Sequence, residues 1–516
     1  MVSSQIIMAI VMFIYLAAMV VIGIYYSKAG STSTKDFYLG GRKLGPLVTA
    51  MSAEASDMSS YLLMGLPGLA YFSGVADVGW TIIGLAAGTY LNWLFVAKRL
   101  RVYSEEIDAY TLPSFFSKRY GDDKNILALI AALIIIIFFI PYTASGFAAV
   151  GKLFNSLFGF DYTISMLVGA AVIIVYTILG GFLAVSTTDL IQSIVMTISL
   201  LIVLGFSVNL AGGAGNVIAV GNSVDGYLNF FRTANVATGE SGPYGFFSIV
   251  STLAWGLGYF GMPHILLRFM GAKDASSIKT SRRIASVWVV ISMSIAVCIG
   301  ITGYALSRGN LIETFGTSSA AESVIVKIAD LLSNHGILAI IVAGLVLSGI
   351  LAATMSTADS QLLAASSSIS EDILGSVFKF KLSRKATMRI ARVTVIVIAL
   401  IAVIFARDPN SSIFGIVSFA WAGFGATFAP VMLLGLFWKR ANKWGALAGM
   451  IFGAIVIFLW KYMVRPIGGG WNIYELLPAF IVAIVAAVIV SLVTGKPDES
   501  IVETFDRVKA KTKAIK

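Results

Sequence analysis

The stretch Met51-Ser-Ala-Glu-Ala-Ser-Asp-Met-Ser-Ser-Tyr-Leu-Leu-Met-Gly-Leu-Pro-Gly68 places two carboxylates, Glu54 and Asp57, and four serines in a segment flanked by apolar residues. A charge at the centre of a bilayer costs at least ~2.5 kcal/mol on insertion scales, so acids at that depth usually face an ion or solute path. The small and hydroxyl-bearing neighbours suit a helix that unwinds at mid-membrane, where freed carbonyls can hold a cation. A buried polar network joining two helices is the plainer alternative.

The rest of the chain supports a membrane setting. Of its 516 residues 58% are hydrophobic and only 12% charged, with a mean hydropathy of +0.89. That balance predicts a polytopic helical membrane protein. Thirteen apolar runs long enough to span a bilayer fall near 5–26, 46–71, 76–97, 125–150, 161–180, 188–211, 244–267, 284–306, 335–368, 389–406, 411–438, 444–463 and 474–494. The first run lacks a small-residue cleavage site and leads into Gly30-Ser-Thr-Ser-Thr34, so it reads as a retained helix. The prediction is one transmembrane domain over 1–495 and a charged, frayed cytoplasmic tail over 496–516.

The net charge of +11 is distributed for topology and not for nucleic acid. With the loop after the first helix on the cytoplasmic side, 30 of the 37 Lys and Arg fall inside, at 28–43, 98–124, 268–283, 379–392, 439–443 and beyond 496. The positive-inside rule then sets the N-terminus outside and the C-terminus in the cytoplasm. The single cysteine, Cys298, excludes an internal disulfide, and two histidines exclude a histidine-rich metal site. The outer loop 307–334 contains Ala320-Ala-Glu-Ser-Val-Ile-Val-Lys-Ile-Ala-Asp-Leu-Leu332, which reads as an amphipathic helix on the outer surface.

A second span is also interrupted. Trp255-Gly-Leu-Gly-Tyr-Phe-Gly-Met-Pro-His264 carries three glycines and a proline in ten residues, which weakens helical hydrogen bonding. These two spans stand second and seventh of the thirteen. A pair of broken helices in matching positions of two halves points to a secondary transporter with a midplane site. Trp255, Tyr259 and Pro263 recur every four residues, a spacing that places them along one helical face. Aromatics there either pack or line a cavity for a small, partly apolar solute. In the ninth span, Ala352-Ala-Thr-Met-Ser-Thr-Ala-Asp-Ser-Gln361 offers the oxygens of Ser356, Thr357, Asp359 and Ser360, the ligand type that hard cations take. Helix-to-helix hydrogen bonding is the alternative use of such hydroxyls. Asp189, at the start of the sixth span, is either a further intramembrane acid or a solvated helix cap.

Enzyme chemistry has no anchor. Gly146-Phe-Ala-Ala-Val-Gly-Lys152 matches seven positions of a phosphate-binding loop, but Leu153 stands where a Ser or Thr must hold magnesium. No nucleophile elbow, paired-histidine zinc motif or dinucleotide fingerprint occurs.

Taken together these segments resemble the solute:sodium symporter family, and within it the bacterial sodium/proline symporters. The likeness runs from Tyr38-Leu-Gly-Gly-Arg-Lys-Leu-Gly45 through Ala55-Ser-Asp-Met-Ser59, Leu63-Met-Gly-Leu-Pro-Gly68, Gly180-Gly-Phe-Leu-Ala-Val-Ser186, the 255–264 block and Met355-Ser-Thr357 to Phe419-Ala-Trp-Ala-Gly-Phe-Gly425 and Trp438-Lys-Arg440. It implies a five-plus-five inverted-repeat core, about 45–211 and 244–438, with two discontinuous helices and flanking spans. It further implies sodium-coupled import of L-proline by alternating access in the cell membrane, with no cofactor besides the coupling ion and no obligatory protein partner. The same fold carrying another small amino acid or a carboxylate is the alternative. By the same resemblance, sodium would be held by main-chain oxygens of Ala55, Met58 and Ala353 and by the hydroxyls of Ser356 and Thr357. Asp57 and Ser59 would shape that site, and Arg42 would gate ion release. Asp189, Asp359 and Ser360 would form a second ion site or exit path, while Gly65, Tyr142, Trp255, Tyr259 and Pro263 would contact the solute. Glu54, Ser60 and Tyr61 depart from the family pattern beside the solute positions, which leaves the solute more open than the ion.

Overall fold

In the computed structural model residues 2–29, 38–179, 181–380 and 383–515 are described. The predicted loop at 30–34, Gly180 of the 180–186 block and two residues of the basic loop, 381 and 382, lie outside them. Among the described residues ten helices are long and apolar enough to cross a membrane. Of the thirteen predicted spans, three are not among those ten. Tyr162–Leu179 is a shorter apolar helix, and the other two are the interrupted segments. Their interruption is what shortens them.

The first broken span starts as the helix Pro46–Ser60, with proline in its opening turn where no amide donor is required. It loses regular geometry at Ser59, whose φ is 47° and ψ −169°. Ser59 Oγ accepts from the Tyr61 amide at 3.1 Å, a local bond that competes with the helical ladder. One π turn, Tyr61–Gly65, follows, and Leu66–Ser73 then completes the crossing. This span packs against the helices Phe182–Leu210, Ile278–Arg308 and Ile337–Ser367.

The second broken span runs as Phe246–Leu253, a 3₁₀ segment Ala254–Phe260, and Pro263–Gly271. Met262 is extended, as a residue before proline prefers to be. The break exposes carbonyls, and side chains take them up. Trp421 Nε1 donates to the Trp255 carbonyl at 2.8 Å, and Asn92 Nδ2 to that of Tyr259 at 2.9 Å. Because the segment is 3₁₀ and then breaks, Trp255, Tyr259 and Pro263 do not share the single α-helical face that their spacing suggested.

Glycine permits a close crossing here. A Cβ at Gly88, in the helix Val75–Leu91, would lie 2.3 Å from the Gly256 carbonyl, and one at Gly84 would lie 2.5 Å from that of Leu253. Gly88→Ala should therefore push the second broken span away and cost about 1–3 kcal/mol by overpacking. Gly205→Ala, with nothing within 4 Å of its Cβ, serves as the helical control and should be neutral or slightly stabilising. Thermal melting of the detergent-solubilised variants distinguishes them; equal melting would refute the steric account.

Two surface elements differ from expectation. The tail is not frayed: Glu499–Ala514 is a helix packed on Lys98–Glu106, where Arg507 and Lys511 pair with Glu106 at 2.6 and 2.5 Å. The outer amphipathic segment is two short helices, Ser318–Ala321 and Val324–Leu332, sunk into the protein and not laid on its surface. Glu322 between them is fully enclosed, and its backbone packs so tightly on the first broken span that a Cβ at Gly68 would come within 2.7 Å.

Candidate functional site

The two broken spans meet at Asp57. Tyr259 Oη donates to its Oδ2 at 2.6 Å and Tyr142 Oη to its carbonyl at 3.1 Å. Asp57 thus turns its carboxylate toward the second broken span. Beside it lies a cavity of about 10 Å³ walled by Asp57, Tyr61, Tyr142, Trp255 and Trp421, room for roughly one water. Trp255 is stacked between Tyr61 (5.8 Å) and Tyr474 (5.1 Å), with Phe414 at 5.3 Å. Of the residues expected to meet solute, Tyr142 and Trp255 line this cavity. Tyr259 reaches it through Asp57. Gly65 faces the Phe414 backbone, where a Cβ would sit at 3.4 Å, and Pro263 opens the helix that follows the break. Neither belongs to the wall. Met58, Leu85, Met293 and Val417 complete it; Met58 was expected at the ion, Trp421 lay inside the 419–425 block, and Leu85, Met293 and Val417 had no sequence signal. Glu54 turns elsewhere, accepting from Trp93 Nε1 at 2.9 Å.

On the other face of the first broken span, Ser356 Oγ lies 2.8 Å from the Ala55 carbonyl and 3.1 Å from that of Ala353. Three expected oxygens therefore converge between this span and the 337–367 helix. Met58 O carries the cap bond from the Tyr61 amide. The neighbouring Thr357 Oγ1 is enclosed and has no hydrogen-bond partner among the described residues. A desolvated hydroxyl beside clustered carbonyls matches the all-oxygen donor set of a hard cation.

Asp189, Ser360 and Asp359 also come together, around a cation that the sequence reading had assigned to a loop. Arg268 is 1% exposed. Its Nη2 lies 3.1 Å from Asp189 Oδ2 and 2.5 Å from Ser360 Oγ, and its Nε 3.0 Å from Ser52 Oγ. Ser52 in turn donates to Asp189 at 2.6 Å, and Ser360 Oγ lies 3.2 Å from Asp359 Oδ1. Asp189 is accordingly not a solvated cap. The helix after the second break runs to Gly271, so it carries Arg268 inside, four residues from His264.

Arg42 sits at the end of the first broken span that the charge pattern places inside. It has a positive φ of 57°. Its guanidinium donates to the Ser104 carbonyl (3.0 Å), the Ala109 carbonyl (3.0 Å) and the Met270 carbonyl (2.5 Å). It clasps the 98–106 helix and the end of the second broken span together. Lys152, of the apparent phosphate loop, is buried in an ion pair with Glu322 at 2.6 Å.

A bundle of spanning helices with two discontinuous members meeting at one cavity, beside a cluster of oxygens, is the architecture of a secondary transporter. Comparisons with known proteins narrow the class. The family model described as the sodium:solute symporter family matches residues 37–453. The chain belongs to that family. It is 42% identical over 507 residues to a sodium/proline symporter of Haemophilus influenzae, covering 98% of each chain. It is 41% identical over 494 residues to an osmoregulated proline transporter of Bacillus subtilis, covering 95% of this chain and 96% of the other. Among solved structures, a sodium-coupled sialic acid symporter in a substrate-bound outward-open state aligns with a TM-score of 0.77 at 20% identity, over 96% of this chain and 99% of that one. At that identity the match shows the fold alone.

Proposed function

We propose that the protein imports L-proline together with sodium across the cell membrane by alternating access, with its N-terminus outside and its C-terminus in the cytoplasm. The observation that carries this reading is the meeting of two broken spans at Asp57, with an aromatic cavity on one face and the Ala55, Ala353 and Ser356 oxygens on the other. Proline transporters and sodium/proline symporters are the relatives at about 40% identity over nearly the whole chain. An apolar ring stacks on aromatic faces, and an ammonium over them adds ~0.5–2 kcal/mol. The cavity holds about one water as it stands, so solute entry must separate its aromatic walls. Sodium at Ala55, Met58, Ala353, Ser356 and Thr357 ties the first broken span to the 337–367 helix, and release of the Arg42 clasp opens the inner side. In this reading Arg268 supplies the positive charge among Asp189, Ser360 and Ser52, leaving one sodium per solute. One charge moving through ~100 mV provides about 2.3 kcal/mol, roughly 50-fold accumulation of a net-neutral solute.

Uptake into proteoliposomes driven by a sodium jump, across a panel of amino acids, tests the reading. Sodium-dependent L-proline accumulation is expected, and its absence while another solute accumulates would remove proline. Ser356→Ala and Thr357→Ala should each raise the half-saturating sodium concentration roughly ten- to a hundred-fold, since losing one ligand costs about 1–3 kcal/mol. Wild-type sodium dependence in both variants would place the ion elsewhere.

A further inference from the structure

Among the described residues, the enclosed polar atoms without partners that lie beside Tyr142 form two groups. Asp57 Oδ1 and Tyr61 Oη belong to residues of the aromatic cavity. The others, Ser60 Oγ, Thr357 Oγ1 and Gln361 Nε2, belong to a second cavity that Tyr142 also lines. Among the described residues no Asp, Glu, Lys or Arg lines that second cavity. Thr143 Oγ1 donates to Gln361 Oε1 at 3.1 Å, which leaves the amide N–H groups of Gln361 unused. Most other hydroxyls of the 337–367 helix bond back to carbonyls of their own helix, as Thr354, Ser356 and Ser360 do; Thr357 does not. Buried donors are rarely left unsatisfied; this second cavity has no room for a water as it stands, so an acceptor reaches the three donors only when its walls part.

We infer that the solute lies across Tyr142 as a zwitterion, with its carboxylate in the cavity of Ser60, Thr357 and Gln361 and its ammonium facing Asp57 among the aromatic rings. The inference rests on the amino-acid transport reading above and names how that solute is oriented. A carboxylate is acceptor-only and takes several donors at once, whereas an acid bordered by π faces suits a cation. Thr357 and Gln361 stand four apart and so share one face of their helix, opposite Ser60 at the break. The Thr357 hydroxyl has lone pairs for sodium and a proton for the carboxylate. It thereby connects ion to solute within one side chain.

The test is competition binding in sodium to the full-length protein in proteoliposomes, comparing L-proline with L-prolinamide, which keeps ring and ammonium but lacks the carboxylate. Wild-type protein should prefer L-proline by roughly 100-fold or more. Ser60→Ala and Gln361→Met should each shrink that preference about tenfold by weakening L-proline alone, and Gln361→Glu, which introduces an anion, about 100-fold. Sodium-induced thermal stabilisation measured without solute reports that each variant is folded; Ser60→Ala, the mildest change, carries the test should Gln361→Glu fail to fold. Variants that weaken both ligands by the same factor, or leave the preference unchanged, overturn this placement of the carboxylate while leaving transport of proline intact. No sodium-dependent L-proline binding to the wild-type protein would overturn the proline reading itself, and this orientation with it.

Discussion

Arg268→Met is expected to destabilise the protein by about 3–5 kcal/mol and to abolish sodium-driven uptake. The substitution leaves the Asp189 carboxylate, itself 0% exposed, without its cationic partner at 3.1 Å. Removing one member of a buried pair is far costlier than removing both, because the remaining charge cannot be solvated. The double variant Arg268→Met, Asp189→Leu should accordingly recover most of the lost stability, yet not transport. Ser52 and Ser360 would still lack the guanidinium that joins the first broken span, the 182–210 helix and the 337–367 helix. Melting temperature in detergent together with uptake in proteoliposomes checks both statements. A single variant within about 1 kcal/mol of wild type would show that the pair holds little together. Restored uptake in the double variant would show that the guanidinium is dispensable for transport.

Lys152→Met should have the next largest effect, about 3 kcal/mol, at the opposite end of the molecule. Glu322 accepts from Lys152 Nζ at 2.6 Å, from Ser412 Oγ at 2.9 Å and from the Phe414 amide at 3.1 Å. The lysine is its only charged partner of the three, and the hydroxyl and amide keep the loss at the lower end of the range for buried pairs. Glu322→Gln keeps an acceptor for Ser412 and Phe414 and should cost less than half as much. Phe414 lies 5.3 Å from Trp255 and 5.6 Å from Tyr61, so loosening its backbone anchor should also raise the half-saturating solute concentration several-fold. Equal effects of the two variants on melting and on solute affinity would refute the account that an unpaired Glu322 charge carries the larger cost.

Much of this site was legible before any coordinates. Glu54 and Asp57 in an apolar run marked the first broken span, and glycines with Pro263 marked the second; each break falls where those residues stand. Ser356 was chosen for its oxygen and lies against Ala55, 301 residues away in sequence. The helical face drawn through Trp255, Tyr259 and Pro263 did not survive. An α-helical spacing argument assumes the ladder that glycines and proline interrupt. Gln361 drew no attention as an amide, because an enclosed amide becomes informative only when its partners, or their absence, are known.

Composition and the two interrupted runs were enough to determine a polytopic helical membrane protein and where two of its helices break. Those properties follow from the solvent: lipid forbids unpaired backbone and unpaired charge whatever the neighbours are. Tertiary structure alone decided which charges were paired and with whom. Arg268 was counted with the loop cations, Asp189 was left between ion path and cap, and Lys152 belonged to an apparent phosphate loop. Each has its partner far off in sequence, 79 residues away for Arg268 and Asp189 and 170 for Lys152 and Glu322. A charge at the end of an apolar run is cheap in water and costly when enclosed, and only packing determines which environment it meets.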